Sequence, residues 1–308
     1  MNATIVVSIA MSIVAAATPL LLAALGELVA EKSGTLNLGV EGMMLLGAVS
    51  AAIVALTTGD LWLAAGAAAL AGALGAGLFA VLTLSLTANQ VATGLALTIF
   101  GQGVSSLVGK DFVGREVHRL PEVFPAALAE HPLARVLFGY DAFVYFSVAA
   151  ALAVAWFLSR TRAGLVLRAV GEGDSSAHAL GYRVIAVRYG ASLFGGAMAG
   201  LAGAYFSLSL TPTWAVGLTA GRGWIALALV TFSGWRPGRL LFGAYLFGAM
   251  MIFELQAKAF GLTLVPPEAL AMAPYLATIA ALTIISAGRA GANLRAPACL
   301  GKPFRATA

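Results

Sequence analysis

The amino-acid sequence predicts an all-α fold, a polytopic bundle of about eight or nine transmembrane helices, some of them broken or re-entrant. Three observations lead there. Hydrophobic residues make up 60% of the 308 and charged residues only 10%, with a mean hydropathy of +0.93, whereas a water-exposed surface requires about 25% charged residues. Apolar runs recur along the chain at lengths near the roughly 20 residues that a helix needs to cross a hydrocarbon core. The basic residues sit in short loops between those runs, as in the cytoplasmic loops of membrane proteins. The chain reads as one transmembrane domain, 1–308, with a lipid bilayer as its solvent.

In chain order the runs lie at about 4–26, 43–58, 61–84, 90–108, 142–158, 188–209, 222–234, 240–257 and 270–287. The first lacks a charged n-region and exceeds a signal h-region in length, so it reads as a retained helix. The stretch 27–42 after it is polar, with Glu27, Glu31, Lys32, Ser33, Asn37 and Glu41 among glycines, and 43–58 is short. The run 222–234 has only 13 residues, the length of a half-helix or of a span extended by its flanks. A tight turn at Trp235-Arg-Pro-Gly-Arg239 joins it to 240–257. Broken helices at membrane depth are tolerated only where they face protein or a watery cavity.

Orientation follows from Lys and Arg. One set of loops holds Lys32, the arginines of 160–188, Arg236, Arg239, Arg289, Arg295, Lys302 and Arg305; the opposite set holds Lys110, Arg115, Arg119 and Arg135, with Arg222 and Lys258 near helix ends. Twelve against six puts the loop 160–187 and the basic tail 288–308 in the cytoplasm, and the loop 109–140 and the N-terminus outside.

Gly195, Gly196, Gly200 and Gly203 on one run, and Gly66, Gly72, Gly75 and Gly77 on another, let helix backbones approach closely in lipid. Packing within the chain is the preferred reading over a dimer seam. Cys299 stands alone, which gives no disulfide framework and no thiol metal site. A net charge of +5 raises nucleic acid as a partner, but the aromatic-basic interleaving that binds strands is missing. No nucleic-acid partner is expected.

The loop 160–187 is far longer than a turn between helices needs. Gly171, Gly173 and the capping-type Asp174 divide it into two short helical pieces, and Gly181 ends the second as a C-cap would. The second piece, with small residues such as Ala177 on one face, suits a groove on another protein. A solvated connector is the alternative.

The stretch Arg168-Ala-Val-Gly-Glu-Gly-Asp-Ser-Ser-Ala-His-Ala-Leu-Gly-Tyr182 resembles the ATPase-docking segment of a known family. These are the permeases of ATP-binding-cassette importers of the branched-chain amino acid, ribose and nucleoside type. Gly26-Glu-Leu-Val-Ala-Glu-Lys-Ser-Gly-Thr-Leu-Asn-Leu-Gly-Val-Glu-Gly-Met-Met44, Ala88-Asn-Gln-Val-Ala-Thr-Gly-Leu-Ala-Leu97, Thr219-Ala-Gly-Arg-Gly-Trp-Ile-Ala-Leu-Ala228 and Val265-Pro-Pro-Glu268 resemble further blocks in the same order. The combination is most similar to the nucleoside (simple-sugar-like) subgroup over roughly 20–290. The departures are local: Ser175-Ser176 replaces basic or proline variants, and Gly101-Gln102 falls where small apolar residues are usual.

The resemblance implies a multi-pass permease of the bacterial inner membrane. It would translocate a small polar solute, foremost a nucleoside, with a simple sugar or branched-chain amino acid as alternatives. Arg168, Gly171, Glu172, Asp174, Ala177, Gly181 and Tyr182 would couple to cytoplasmic ATP-binding subunits. A second permease subunit, identical or homologous, and an extracytoplasmic solute-binding protein at 109–140 complete the implied assembly.

No catalytic constellation is legible. His118, His131 and His178 are scattered and read as solvated, no metal or cofactor is expected, and no phosphate-binding glycine loop is present. ATP hydrolysis would therefore belong to a separate chain. Asn37, Glu41, Asn89, Gln90, Thr93, Gln102 and Arg222 are polar groups in or beside apolar runs and are candidates for the translocation pathway. Asn and Gln also bond neighbouring helices, and both readings stay open. Glu41 reads as the cap of the helix it opens or as a substrate contact. Arg222 stands where a helix dipole disfavours a cation, which calls for a carboxylate or carbonyl partner. Trp214 and Trp224 read as interfacial belt residues before stacking platforms. An ion-coupled transporter would show paired intramembrane carboxylates or an inverted repeat, and a membrane enzyme would show clustered His, Asp or Ser at depth; the sequence displays neither.

Overall fold

In the computed structural model, which describes residues 3–125, 131–259 and 296–305 and positions 128, 272, 276, 279 and 283, helices make up most of the described residues. They are α1 (Ala3–Lys32), α2 (Val40–Thr58), α3 (Leu61–Ala80), α4 (Gln90–Gly109), α5 (Pro132–Phe138), α6 (Ala142–Arg160), α7 (Arg162–Glu172), α8 (Asp174–Ala179), α9 (Val184–Tyr205), α10 (Arg222–Phe232) and α11 (Pro237–Ala259). Single π turns, Val81–Ser85 and Phe206–Leu210, extend α3 and α9. Side chains start several of the helices. Asp60, Asn89, Asp141 and Thr161 each accept backbone N–H bonds at the first turns of α3, α4, α6 and α7.

Among the described residues seven helices are long and apolar enough to cross a membrane: α1, α2, α3, α4, α6, α9 and α11. Helix α10 is shorter, the half-helix that the 13-residue run suggested. The expected span 270–287 lies outside the described residues. One boundary moves substantially. Helix α1 continues through Glu27 and Glu31 to Lys32, so the polar stretch shrinks to a break at 33–39.

The most enclosed spans are α9 and α2; α4 and α11 bury the least. Helix α9 packs on α1, α2 and α3 through its glycine face. Gly200 approaches Ala68 and Gly72 so closely that a Cβ on Gly72 would stand 2.8 Å from the Gly200 Cα. The small-residue faces thus join helices of one chain. Gly66, on the same helix as Gly72, has open space around it. Trp62, Ile99 and Leu152 are well exposed, as apolar side chains facing lipid should be.

The bundle has two distinct ends. At one lie α7, α8 and the tail 296–305, where the Cys299 N–H donates to the Gly171 carbonyl (2.9 Å) and the Gly301 N–H to that of Gly34 (3.1 Å). The loop 160–187 and the C-terminal tail therefore share one end. At the other, 113–120 runs along 208–214. The N–H groups of Gly114, Val117 and Leu120 donate to the carbonyls of Trp214, Pro212 and Leu208 at 2.9, 2.9 and 3.0 Å.

Candidate functional site

Two interruptions of the helical ladder define the interior site. The first, 33–39, leaves backbone N–H groups without helical partners, and side chains of α1, α4 and the break itself take them up. Leu36 donates to Gln90 Oε1 (2.8 Å), Asn37 to Glu27 Oε1 (3.1 Å) and Gly39 to Asn37 Oδ1 (2.8 Å). The Thr98 hydroxyl donates to the Leu38 carbonyl at 3.0 Å. Unpaired, each such group would cost several kcal/mol at membrane depth.

The second interruption, 211–221, brings the chain to α10. Ala220 and Gly221 both take left-handed backbone angles, φ +48° and +80°, a turn whose N–H groups converge on one point. Glu41 occupies that point. One carboxylate oxygen accepts from Thr219 Oγ1 (2.5 Å) and Gly221 N–H (2.8 Å), the other from Gly223 N–H (2.6 Å). The anion completes the positive end of the α10 dipole. Gly223 is needed here, since a Cβ would lie 2.6 Å from the Glu41 Cα.

The candidate pathway residues divide by use. Glu41 stands in the first turn of its own helix, yet its hydrogen bonds cap α10 instead of α2, a correction to the expected local cap. Asn37, Gln90, Glu41 and Arg222 gather around the two breaks. Asn37 and Glu41 are buried in backbone bonding, and Gln90 has a buried Nε2 with no partner among the described residues. Arg222 lays its guanidinium over the Phe206 ring, 4.8 Å from the centroid. Asn89 caps α4 by accepting from Ala92 N–H (3.0 Å). Gln102 is exposed, and Thr93 lines a groove of about 420 Å³ with Leu82 and Phe100. Asn89 and Gln102 sit about 20 Å apart along α4 at 1.5 Å per residue.

Several residues differ from the sequence reading. Trp214 is fully buried and packs on Gly109, so it is a core residue and not a belt residue; Trp224 is exposed. Glu27 and Glu31 are both buried in α1, one turn apart, where no intramembrane carboxylate pair was expected. Glu27 holds the first break, and Glu31 accepts the Trp235 indole N–H at 2.5 Å. His118, His131 and His178 are exposed, and no described cluster of His, Cys, Asp or Glu could hold a metal.

At the basic end, α7 and α8 rest on a small core of Val170, Ala177 and Val184, joined by Phe304 of the tail. Arg188 is its polar centre and is fully buried. Its Nε donates to the Ser33 carbonyl (3.1 Å), one terminal nitrogen to that of Lys302 (3.2 Å), and the other pairs with Asp174 at 3.1 Å. Asp174 is thus not the cap that separates the two helices; Gly173 holds that position. Gly171 is buried against the Lys32 carbonyl, and the Arg168 Nε is buried without a partner among the described residues. Ala177 faces the body of the protein. The outward surface is Glu172, Ser175, Ser176 and a tip of Leu180, Gly181 and Tyr182, with Leu180 78% exposed.

Known proteins resemble the chain over nearly its full length. Residues 9–287 match the family described as branched-chain amino acid transport system / permease component. A putative glucose ABC transporter permease protein of Haloferax volcanii is 40% identical over 309 residues, covering 93% of this chain and 94% of its own. A guanosine ABC transporter permease protein of Bacillus subtilis is 32% identical over 281 residues, and a nucleoside ABC transporter permease protein of Lactococcus lactis is 29% identical over 280; each covers 87% of this chain and 88% of its own. No solved structure matches the chain.

Proposed function

This chain belongs to the branched-chain amino acid transport system / permease component family, and from that premise we propose that it is the membrane subunit of an ATP-driven importer for a small neutral solute with a hydroxylated ring. The relatives are named for glucose, guanosine and nucleosides, and a nucleoside or a simple sugar is the class these share.

The observation that carries this reading is the α7–α8 platform. Two short helices at one end of the bundle are tied through Arg188 to the break after α1 and to the tail, and lead into the uncovered Leu180 and Tyr182. An exposed apolar tip on a rigid base suits docking to a cytoplasmic ATP-binding subunit, whose closure the platform would pass to α1 and α9. The end bearing 160–187 and the tail is then cytoplasmic, and the end bearing 109–140 meets a solute-binding protein. Thr93, Gln102 and the weakly enclosed face of α4 would line the path beside a second permease subunit, and Glu41 with Arg222 would set how α10 moves.

Reconstitution in proteoliposomes with the copurified ATPase tests this. ATP-dependent accumulation of labelled guanosine or glucose supports it and assigns the cargo. Uptake driven by a proton gradient without ATP would overturn it.

A further inference from the structure

A cavity of about 400 Å³ opens at the end of the bundle opposite α7 and α8, between the first turns of α1, the segment 119–122 and the start of α6. It is separate from the breaks around Glu41. Arg119, Glu122 and Arg135 line it together with Tyr140, Asp141 and Tyr205.

These groups differ in how far their bonding capacity is used. Asp141 is spent: it accepts from Phe143 and Val144 N–H at 2.9 and 3.3 Å and from the Ser209 hydroxyl. Arg119, Glu122 and Arg135 make no ion pair with any described residue. Tyr140 is only 8% exposed, and its buried hydroxyl has no hydrogen-bond partner among the described residues. A buried orphan hydroxyl costs roughly 1–3 kcal/mol, a cost that a bonding partner entering the cavity beside Tyr140 would relieve. Burial pushes this hydroxyl up to about 12, so at neutral pH it is a proton donor.

We propose that this cavity is a binding site for a neutral, monosaccharide-sized hydroxylated ring, held by Arg119, Glu122, Arg135 and the Tyr140 hydroxyl. Charge decides the class. Two arginines face two carboxylates, so an anion would meet Glu122 and Asp141, and a cation would meet the guanidiniums. A ring bearing adjacent hydroxyls donates to Glu122 and accepts from the arginines and Tyr140, while Tyr205 offers an apolar face. The volume suits the lower end of small-ligand pockets, roughly 300–1,000 Å³. The site would collect solute before it reaches the breaks, and to that extent it rests on the reading of the chain as a permease.

The test titrates the purified full chain in nanodiscs with glucose, ribose and guanosine, followed by saturation-transfer NMR, with inorganic phosphate as the charged comparator. Saturable binding of a neutral ring is expected. Arg135→Gln and Tyr140→Phe should each weaken it about tenfold, one hydrogen bond's worth, with no fall in the thermal midpoint of the unliganded protein, and a rise for Tyr140→Phe, which removes the orphan hydroxyl. Absence of neutral-ring binding, wild-type affinity in both variants, or competition by phosphate would overturn the site. ATP-driven uptake is measured separately. Binding without ATP-driven uptake sinks only the importer, and uptake without binding sinks only this cavity.

Discussion

Glu41 and Gly223 lie 182 residues apart in the chain, yet the Gly223 N–H donates to the Glu41 carboxylate at 2.6 Å and closes the gap between the two helix breaks. Replacing Glu41 with Leu removes an anion shared by three donors. We expect a stability loss of about 3 kcal/mol, the upper range for hydrogen bonds to a charged group, read as a lower thermal midpoint in detergent. Glu41→Gln, which keeps one acceptor, should fall between Leu and wild type; a Leu variant as stable as wild type would remove the carboxylate from the architecture.

Arg188 offers a second test. Its guanidinium serves three acceptors on three segments, a fork geometry that an ammonium cannot reproduce. Arg188→Lys should therefore fail almost as badly as Arg188→Met. Breaking a buried pair costs about 3–5 kcal/mol, and here the loss should appear as ATP hydrolysis that no longer drives uptake. Wild-type coupling in the Lys variant would show that charge alone suffices.

The proposed docking tip should be separable from the fold. Leu180 and Tyr182 are exposed and contribute little to the core. Leu180→Asp should leave expression and thermal midpoint unchanged while abolishing copurification of the ATP-binding subunit. Retained copurification would move the docking surface elsewhere.

Glycines on one helix separate packing from composition. Gly72→Val drives a side chain into the α9 backbone and should remove folded protein from the membrane, whereas Gly66→Val meets open space and should be silent. Quantitative immunoblotting of membranes distinguishes them. Equal levels for both would mean that α3 and α9 do not pack as described.

The spans, the half-helix and the two-piece loop were legible because each is local: run length, glycine punctuation and basic flanks all lie within a few residues. The run 222–234 announced its shortness in its own length. The chemistry of the site was less legible because its partners are distant. Glu41 looked like a local cap since the sequence around it opens a helix; nothing nearby pointed to Thr219 or Gly221. Glu27 and Glu31 read as loop because charge lowers local hydropathy, although the N–H groups of a break and an indole make them tolerable inside a span. Arg188 was counted as one of many loop arginines. Its burial depends on Ser33 and Lys302, far off in sequence, and no periodicity signals that.

One of the Arg188 acceptors is a main-chain oxygen of residue 302, not its side chain. Substitution scanning should therefore find position 302 permissive, even to a change of charge, while premature stop codons before it should be as harmful as loss of Arg188 itself. At that position the tail acts as a length of chain, and its contribution would stay invisible to a survey that replaces residue 302 without removing it.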